Sequence, residues 1–298
     1  MSNSLLGMAE LTRDQINHLL ERTRFWQEHW QAPPQVLANR TIANLFFEPS
    51  TRTRFSFEMA AKRMGAHVLN FMESASSTTK GESLYDTVKT LEAMGFDAVV
   101  IRHKENGIVH SLASLVDVPL INAGTGTTEH PTQCLLDLYT ISQHFGTVKG
   151  ITVAIIGDIL HSRVAMSHLA ALPKMGARVI ISGPRHLLPT EVLGPIEFWP
   201  IDQAVAEADV VMMLRLQLER FSDLALSVDQ YHRDYGLTEK RAKMMRPGAV
   251  IMHPGPVNRG VEIAGSLIEC ERSLINRQVA NGVLTRMAIL EWVIQGES

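Results

Sequence analysis

The run Phe47-Glu48-Pro49-Ser50-Thr51-Arg52-Thr53-Arg54-Phe55-Ser56-Phe57-Glu58 gathers hydroxyls and guanidiniums at one point of the chain. An apolar run at 42–47 precedes it and reads as a buried strand; helical periodicity follows it. A helix start presents backbone N–H groups and the positive end of the helix dipole. Ser50, Thr51 and Thr53 add hydroxyl donors, and Arg52 adds a permanently charged fork that fits phosphate oxygens. The segment reads as a phosphate cradle. It is not the Walker type, because no Gly-rich run leads into Lys and Ser/Thr. The plainer alternative is a Ser/Thr-capped helix with exposed arginines.

Comparable clusters recur wherever a short apolar run ends. Arg102 and His103 follow 97–101, and Gly124-Thr125-Gly126 with His130-Pro131-Thr132-Gln133 follow 119–122. Asp158, His161 and Arg163 follow 151–156, Arg215 and Gln217 follow 209–214, and His253-Pro254-Gly255-Pro256 follows 249–252. Ligands of parallel α/β sheets bind beyond the carboxyl ends of the strands. The recurrence therefore points to a site lined by Arg, His and hydroxyls. A dinucleotide site at 151–157 fails, because Gly157 is followed by Asp158, Ile159, Leu160, His161 and Ser162, without the further glycines of the fingerprint. No metal is expected: His161 and His168 have no His, Cys or Asp partner at ligand spacing and read as ordinary polar or half-buried histidines.

The elements that must position these residues alternate along the chain. Thr12 and Gln15 fit a capping box ahead of Ile16, Leu19, Leu20 and Trp26. Strands are expected at 42–47, 67–71, 97–101 and 119–122, with helices at 51–64, 84–94, 108–115 and 132–145. The pattern restarts after Gly146 and Gly150, with strands at 151–156, 178–182, 209–214 and 249–252, a helix at 163–175, and polar helices farther on. The stretch 184–195, with three prolines, reads as loop. Strand–helix alternation implies an α/β fold of two domains, each a parallel sheet flanked by helices. The apolar tail helix, 284–294, has no residue cue that decides which domain it packs on; the expected arrangement returns it to the first.

The 298 residues suffice for two domains, and a net charge of −3 gives no general attraction to nucleic acid or acidic membranes. The start, Met1-Ser2-Asn3-Ser4, shows no secretory pattern, no apolar run reaches spanning length, and Cys134 and Cys270 suit a reducing compartment, so a cytoplasmic protein is expected. Residues 73–82, rich in Ser and Thr and carrying Lys80, read as a mobile lid with one cation or as a disordered polar loop.

Taken together, Ser50-Thr51-Arg52-Thr53-Arg54, His130-Pro131-Thr132-Gln133 and His253-Pro254-Gly255-Pro256 closely resemble the transcarbamylase family, and within it the aspartate branch. Order, spacing and length agree over essentially the whole chain. The resemblance implies transfer of the carbamoyl group of carbamoyl phosphate to the amino group of L-aspartate, in de novo pyrimidine biosynthesis, with no cofactor. It implies a carbamoyl phosphate domain, residues 1–135 with 280–298, and an aspartate domain, residues 136–279. Ser50, Thr51, Arg52 and Thr53 match the phosphate-binding segment; Arg102, His130 and Gln133 match the residues around the carbamoyl group. Gly255 and Pro256 match the backbone turn that accepts from the carbamoyl nitrogen, with Gly where other members carry Leu. Arg163, Arg215 and Gln217 match the aspartate-binding set. Ser76 and Lys80 match a loop donated by a neighbouring subunit, which implies a homotrimer with shared active sites. The resemblance leaves room for regulatory or other pathway subunits. Catalytic roles are expected for Arg52, Thr53, Lys80, Arg102 and His130, with Lys80 also reaching aspartate.

The ornithine branch is the nearest competitor. It resembles this chain in the phosphate motif but carries a Cys in both later motifs, where Thr132 and Pro254 stand here, and holds a cationic tail with an acidic residue and a Ser-Met-Gly turn. Arg163 and Arg215 instead suit two carboxylates and would repel a cationic acceptor. A transcarbamylase for another amine, or an inactive ligand-binding relative, remains the alternative.

Overall fold

The computed structural model describes residues 4–71, 82–190, 195–216 and 227–296. Contacts divide the chain into two compact units, 1–139 with 279–298 and 140–278. Each unit is an α/β layer arrangement around a fully parallel sheet.

In unit 1, helix α1 (Arg13–Glu28) opens on the expected capping box: Thr12 Oγ1 accepts from the Gln15 N–H and Gln15 Oε1 accepts from the Thr12 N–H. There follow β1 (Thr41–Phe46), α2 (Thr51–Arg63), β2 (His67–Asn70), α3 (Leu84–Ala93), β3 (Ala98–His103), α4 (Ile108–Ala113), β4 (Leu120–Thr125) and α5 (Pro131–Phe145). The strand order is β2-β1-β3-β4. Ala43, Leu45, Val99, Ile101 and Leu120 of the sheet pack with Val88, Val109 and Leu112 of the helices.

Unit 2 runs β5 (Thr152–Ile156), α6 (Arg163–Lys174), β6 (Arg178–Ser182), β7 (Ile196–Phe198), α7 (Ile201–Glu207), β8 (Val210–Met213), α8 (Val228–Tyr235), α9 (Glu239–Ala242) and β9 (Val250–Met252), in sheet order β7-β6-β5-β8-β9. Helix α10 (Ile275–Gln295) ends the chain. Gly157, at the exit of β5, has φ 132, and a Cβ on Gly183 would lie 2.3 Å from its carbonyl oxygen. A close backbone crossing accounts for these glycines.

Several elements differ from expectation. Strands β3 and β4 extend to His103 and Thr125, so Arg102 and Thr125 lie in the ladder rather than after it; Arg102 gains a backbone partner because its carbonyl accepts from Phe47. Helix α10 begins nine residues before 284. Its first turns hold Gln278 and Asn281, buried polar residues that interrupt the apolar period, and Gln278 Oε1 accepts from the His253 N–H at 2.9 Å. Strand β7, three residues long, is too short for a period to show. Among the described residues no helix is long and apolar enough to cross a membrane.

The tail helix does return to the first unit. Glu291 of α10 accepts from Arg22 at 2.7 and 3.0 Å and from the Trp26 indole at 3.0 Å. Trp26 is fully buried. Glu291→Ala leaves that indole N–H without its acceptor and should cost about 2 kcal/mol. A urea midpoint indistinguishable from wild type would contradict this.

Candidate active site

Both sheets have a point where the chain reverses its direction of growth. In unit 1 the chain places β2 on one side of β1 and β3 on the other; in unit 2 it places β6 on one side of β5 and β8 on the other. Such switch points open a crevice beyond the strand ends.

At the first switch point β1 leads into the start of α2. Ser50 is the N-cap, with extended backbone, yet its hydroxyl makes no capping bond. The hydroxyls of Thr12, Ser83, Ser162, Ser227 and Thr238, at equivalent positions, all do. The first turn of α2 carries no acid, so nothing of its own neutralises the positive dipole end. Thr51 and Arg52 are exposed, whereas Thr53 is buried. Arg102 enters from the neighbouring strand: Phe46 pairs with Arg102 in register, and the Phe47 N–H donates to the Arg102 carbonyl at 2.9 Å. Its guanidinium lies 3.4 Å from Glu48 and donates to the Ala123 carbonyl at 3.4 Å. The chain from β4 reaches His130, only 5 % exposed, whose carbonyl accepts from the Gln133 and Cys134 N–H groups as α5 begins. Ser50, Thr51, Arg52, Thr53, Arg102, His130 and Gln133 thus share the carboxyl edge of one sheet.

Behind that edge lies a buried polar layer. Gln133 Nε2 donates to Asp137, itself fully buried, at 3.1 and 3.2 Å. Arg286 of α10 is also buried, donates to the Gly282 carbonyl at 2.9 Å and stands over the Phe57 ring. Burial pushes the Arg286 guanidinium down to about 9, the Asp137 carboxylate opposes that fall, and Arg102 adds to it. Arg286 therefore remains cationic at neutral pH.

At the second switch point Arg163 is the first residue of α6, after Ser162, whose hydroxyl accepts from the Ala165 N–H. Arg215 leaves β8 half-buried. Strand β9 lies beside β8 and leads into His253-Pro254-Gly255-Pro256. Gly255 has φ 67, a left-handed conformation that favours glycine, which suits Gly rather than Leu at this position. The Gly255 N–H donates to His253 Nδ1 at 2.8 Å, so the imidazole proton sits on Nε2, which donates to Glu262 at 3.1 Å. Glu262, fully buried, also accepts from the Asn258 N–H and side-chain amide. The same amide donates to the Leu216 carbonyl at 2.9 Å. One carboxylate thus ties the Gly255 turn to the segment carrying Arg215.

Ser76, Lys80 and Gln217 lie outside the described residues. His161, read as an ordinary histidine, pairs with buried Asp158 at 3.0 Å. Among the described residues no cluster of His, Cys, Asp and Glu could hold a metal ion. Sequence reasoning missed Glu48, Asp137, Arg286, Asn258 and Glu262. Two signals were present: Asp137 stands four residues after Gln133 on one helix, and Arg286 is a cation inside an apolar helix.

An α/β protein with cationic groups at the switch point of each of two parallel sheets is built to take anionic ligands. Residues 3–143 match the family model described as aspartate/ornithine carbamoyltransferase, carbamoyl-P binding domain, and residues 149–293 match its Asp/Orn binding domain. The chain belongs to the aspartate/ornithine carbamoyltransferase family. It is similar to aspartate transcarbamoylase from Trypanosoma cruzi in complex with N-(phosphonacetyl)-L-aspartic acid, at 33 % identity and TM-score 0.91, covering 98 % of this chain and 96 % of that one. The same enzyme in complex with carbamoyl phosphate matches at 33 % identity and TM-score 0.90, covering 98 % and 97 %. Its complex with carbamoyl phosphate and aspartate matches at 32 % and 0.88, covering 98 % and 96 %.

Glu262→Gln replaces an acceptor by an amide that must turn its NH₂ group toward one of the donors from His253 or Asn258. The expected loss is about 2 kcal/mol, read from urea unfolding. Unchanged stability would show that the three bonds to Glu262 do not hold the turn.

Proposed function

We propose that the chain transfers the carbamoyl group of carbamoyl phosphate to the amino group of L-aspartate, giving N-carbamoyl-L-aspartate and phosphate, as a step of pyrimidine biosynthesis. The observation that carries this reading is the division of cationic groups between two switch points. One has a helix start, hydroxyls, Arg102 and His130; the other has Arg163 and Arg215. The first suits a phosphate carrying a reactive carbonyl, and the second suits a dicarboxylate.

Residues 1–135 with 280–298 take carbamoyl phosphate, and residues 136–279 take aspartate. The phosphate sits on Ser50, Thr51, Arg52 and Thr53, with Lys80 completing its shell. Its negative charge draws Arg102 away from Glu48. Thr53, Arg102 and His130 face the carbonyl oxygen, where charge grows as the aspartate amine attacks; a donor aimed there is worth roughly 3–4 kcal/mol. Gln133 and the carbonyls of the Gly255–Pro256 turn accept from the carbamoyl NH₂. Arg163, Arg215, Gln217 and Lys80 hold the aspartate carboxylates. The departing phosphate takes the amine proton, so the protein supplies position and field.

The active assembly is a homotrimer in which Ser76 and Lys80 complete a neighbour's site. Exposed apolar side chains support a covered face on unit 1: Phe55 and Met59 stand one turn apart on α2, at 52 % and 50 % exposed, and Leu69 on the edge strand β2 is 53 % exposed. The cytoplasm is its compartment, a reading supported by two cysteine thiols not joined as a disulfide.

Arg215→Ala should raise the KM for aspartate roughly 10- to 100-fold while carbamoyl phosphate affinity stays within a factor of about two. Lost carbamoyl phosphate binding with unchanged aspartate saturation would contradict the assignment.

Arg52→Ala should lower kcat by about three powers of ten, ~4 kcal/mol, in a folded protein. Lys80→Ala should also be inactive. After subunit exchange in an equal mixture, about a quarter of the boundaries should combine an intact Arg52 with an intact Lys80, and activity should return in proportion. No recovery despite demonstrated exchange would mean that each chain builds its own site.

A further inference from the structure

Gln133 and Asp137 stand one turn apart on α5, and neither is exposed: 8 % and 0 % of their surfaces remain accessible. Gln133 Nε2 lies 3.1 Å from one Asp137 carboxylate oxygen and 3.2 Å from the other. An amide can in principle be turned either way, but a carboxylate only accepts hydrogen bonds, so the nitrogen must face Asp137. The Gln133 carbonyl oxygen then points away from Asp137, and it takes no hydrogen bond from any described residue. The Asp137 carboxylate in turn supports the charge of buried Arg286, which packs over Phe57, one turn beyond Thr53 on α2. Amide, carboxylate and guanidinium form a layer that links the starts of α5 and α2.

We infer that Asp137 is a positioning residue of the carbamoyl site: by holding the Gln133 nitrogen inward it leaves only the carbonyl oxygen to face the ligand, and so makes the site select a carbonyl carbon bearing NH₂ over one bearing CH₃. The inference rests on carbamoyl phosphate binding at the β1–β3 edge, as proposed above. An amino group donates to the Gln133 oxygen. A methyl group leaves that oxygen buried without a partner, and sites built for a hydrogen bond reject analogues lacking it. Asparagine in place of Asp137 presents either an oxygen or an NH₂ group, so Gln133 loses its fixed orientation and with it the discrimination.

The test is calorimetric binding of carbamoyl phosphate and acetyl phosphate, which differ only in NH₂ against CH₃. Wild type should prefer carbamoyl phosphate by about tenfold or more. In Asp137→Asn that ratio should fall toward one, chiefly through weaker carbamoyl phosphate binding, and Gln133→Met should show the same fall. A folded Asp137→Asn protein that weakens both ligands equally, with the ratio intact, has lost only structural support, and the inference is overturned. An unchanged ratio in Gln133→Met overturns it as well. If Asp137→Asn does not fold, Asp137→Glu keeps the charge facing Arg286 while displacing the acceptor by one methylene. A reduced ratio there supports the inference and an equal loss for both ligands defeats it. Wild type that binds neither compound would instead overturn the reading of the site on which the inference stands.

Discussion

A site that receives dianions has to hold several cations close together before any anion arrives. In unit 1 the cation that most needs support is Arg286, which is fully buried. Burial is the main cost to the charge of Arg286, and the nearby Arg102 adds to it. Carboxylates offset it from two directions. Glu48 lies 3.4 Å from Arg102, and Asp137 supports Arg286 from within the buried layer. Glu48 sits in the loop between β1 and α2, beside the proposed phosphate cradle. Asp137, on α5, is itself fully buried.

Unit 2 handles its charges differently. Its buried carboxylate, Glu262, accepts from neutral donors, namely the His253 imidazole and the Asn258 backbone and amide. This acid does not balance an arginine; it shapes backbone. It orders the Pro254-Gly255-Pro256 turn, and through Asn258 and the Leu216 carbonyl it reaches the residue after Arg215. One buried acid supports a buried charge, and the other fixes backbone.

Much of this was legible because parallel sheets put their chemistry at strand ends. Short apolar runs marked the strands, and the Arg, His and hydroxyl residues that follow them marked the edge. Ser50 to Arg54, Arg102, His130, Arg163 and Arg215 were visible for that reason. The acids behind them were not. Asp137 lies among Leu135, Leu136, Leu138 and Tyr139 and reads as a polar position on an amphipathic helix until the fold buries it. Glu262 follows a glycine-containing loop and carries no periodic signal. The early start of α10 was hidden by Gln278 and Asn281, whose polarity suggests solvent but whose side chains are buried. A buried polar group takes its meaning from its partner, and the partner is usually distant in sequence: nine residues separate His253 from Glu262, and 265 separate Trp26 from Glu291.

In the proposed reaction, cations at the second switch point select a dicarboxylic acceptor for a carbamoyl group held at the first. The most direct measurement offers the purified chain carbon-13-labelled carbamoyl phosphate with equal concentrations of L-aspartate and L-ornithine, and identifies the labelled products by nuclear magnetic resonance. The expected result is labelled N-carbamoyl-L-aspartate, one phosphate released for each molecule formed, and no labelled product from ornithine. Carbamoylated ornithine, or no carbamoyl-aspartate from a folded chain that binds carbamoyl phosphate, would contradict it.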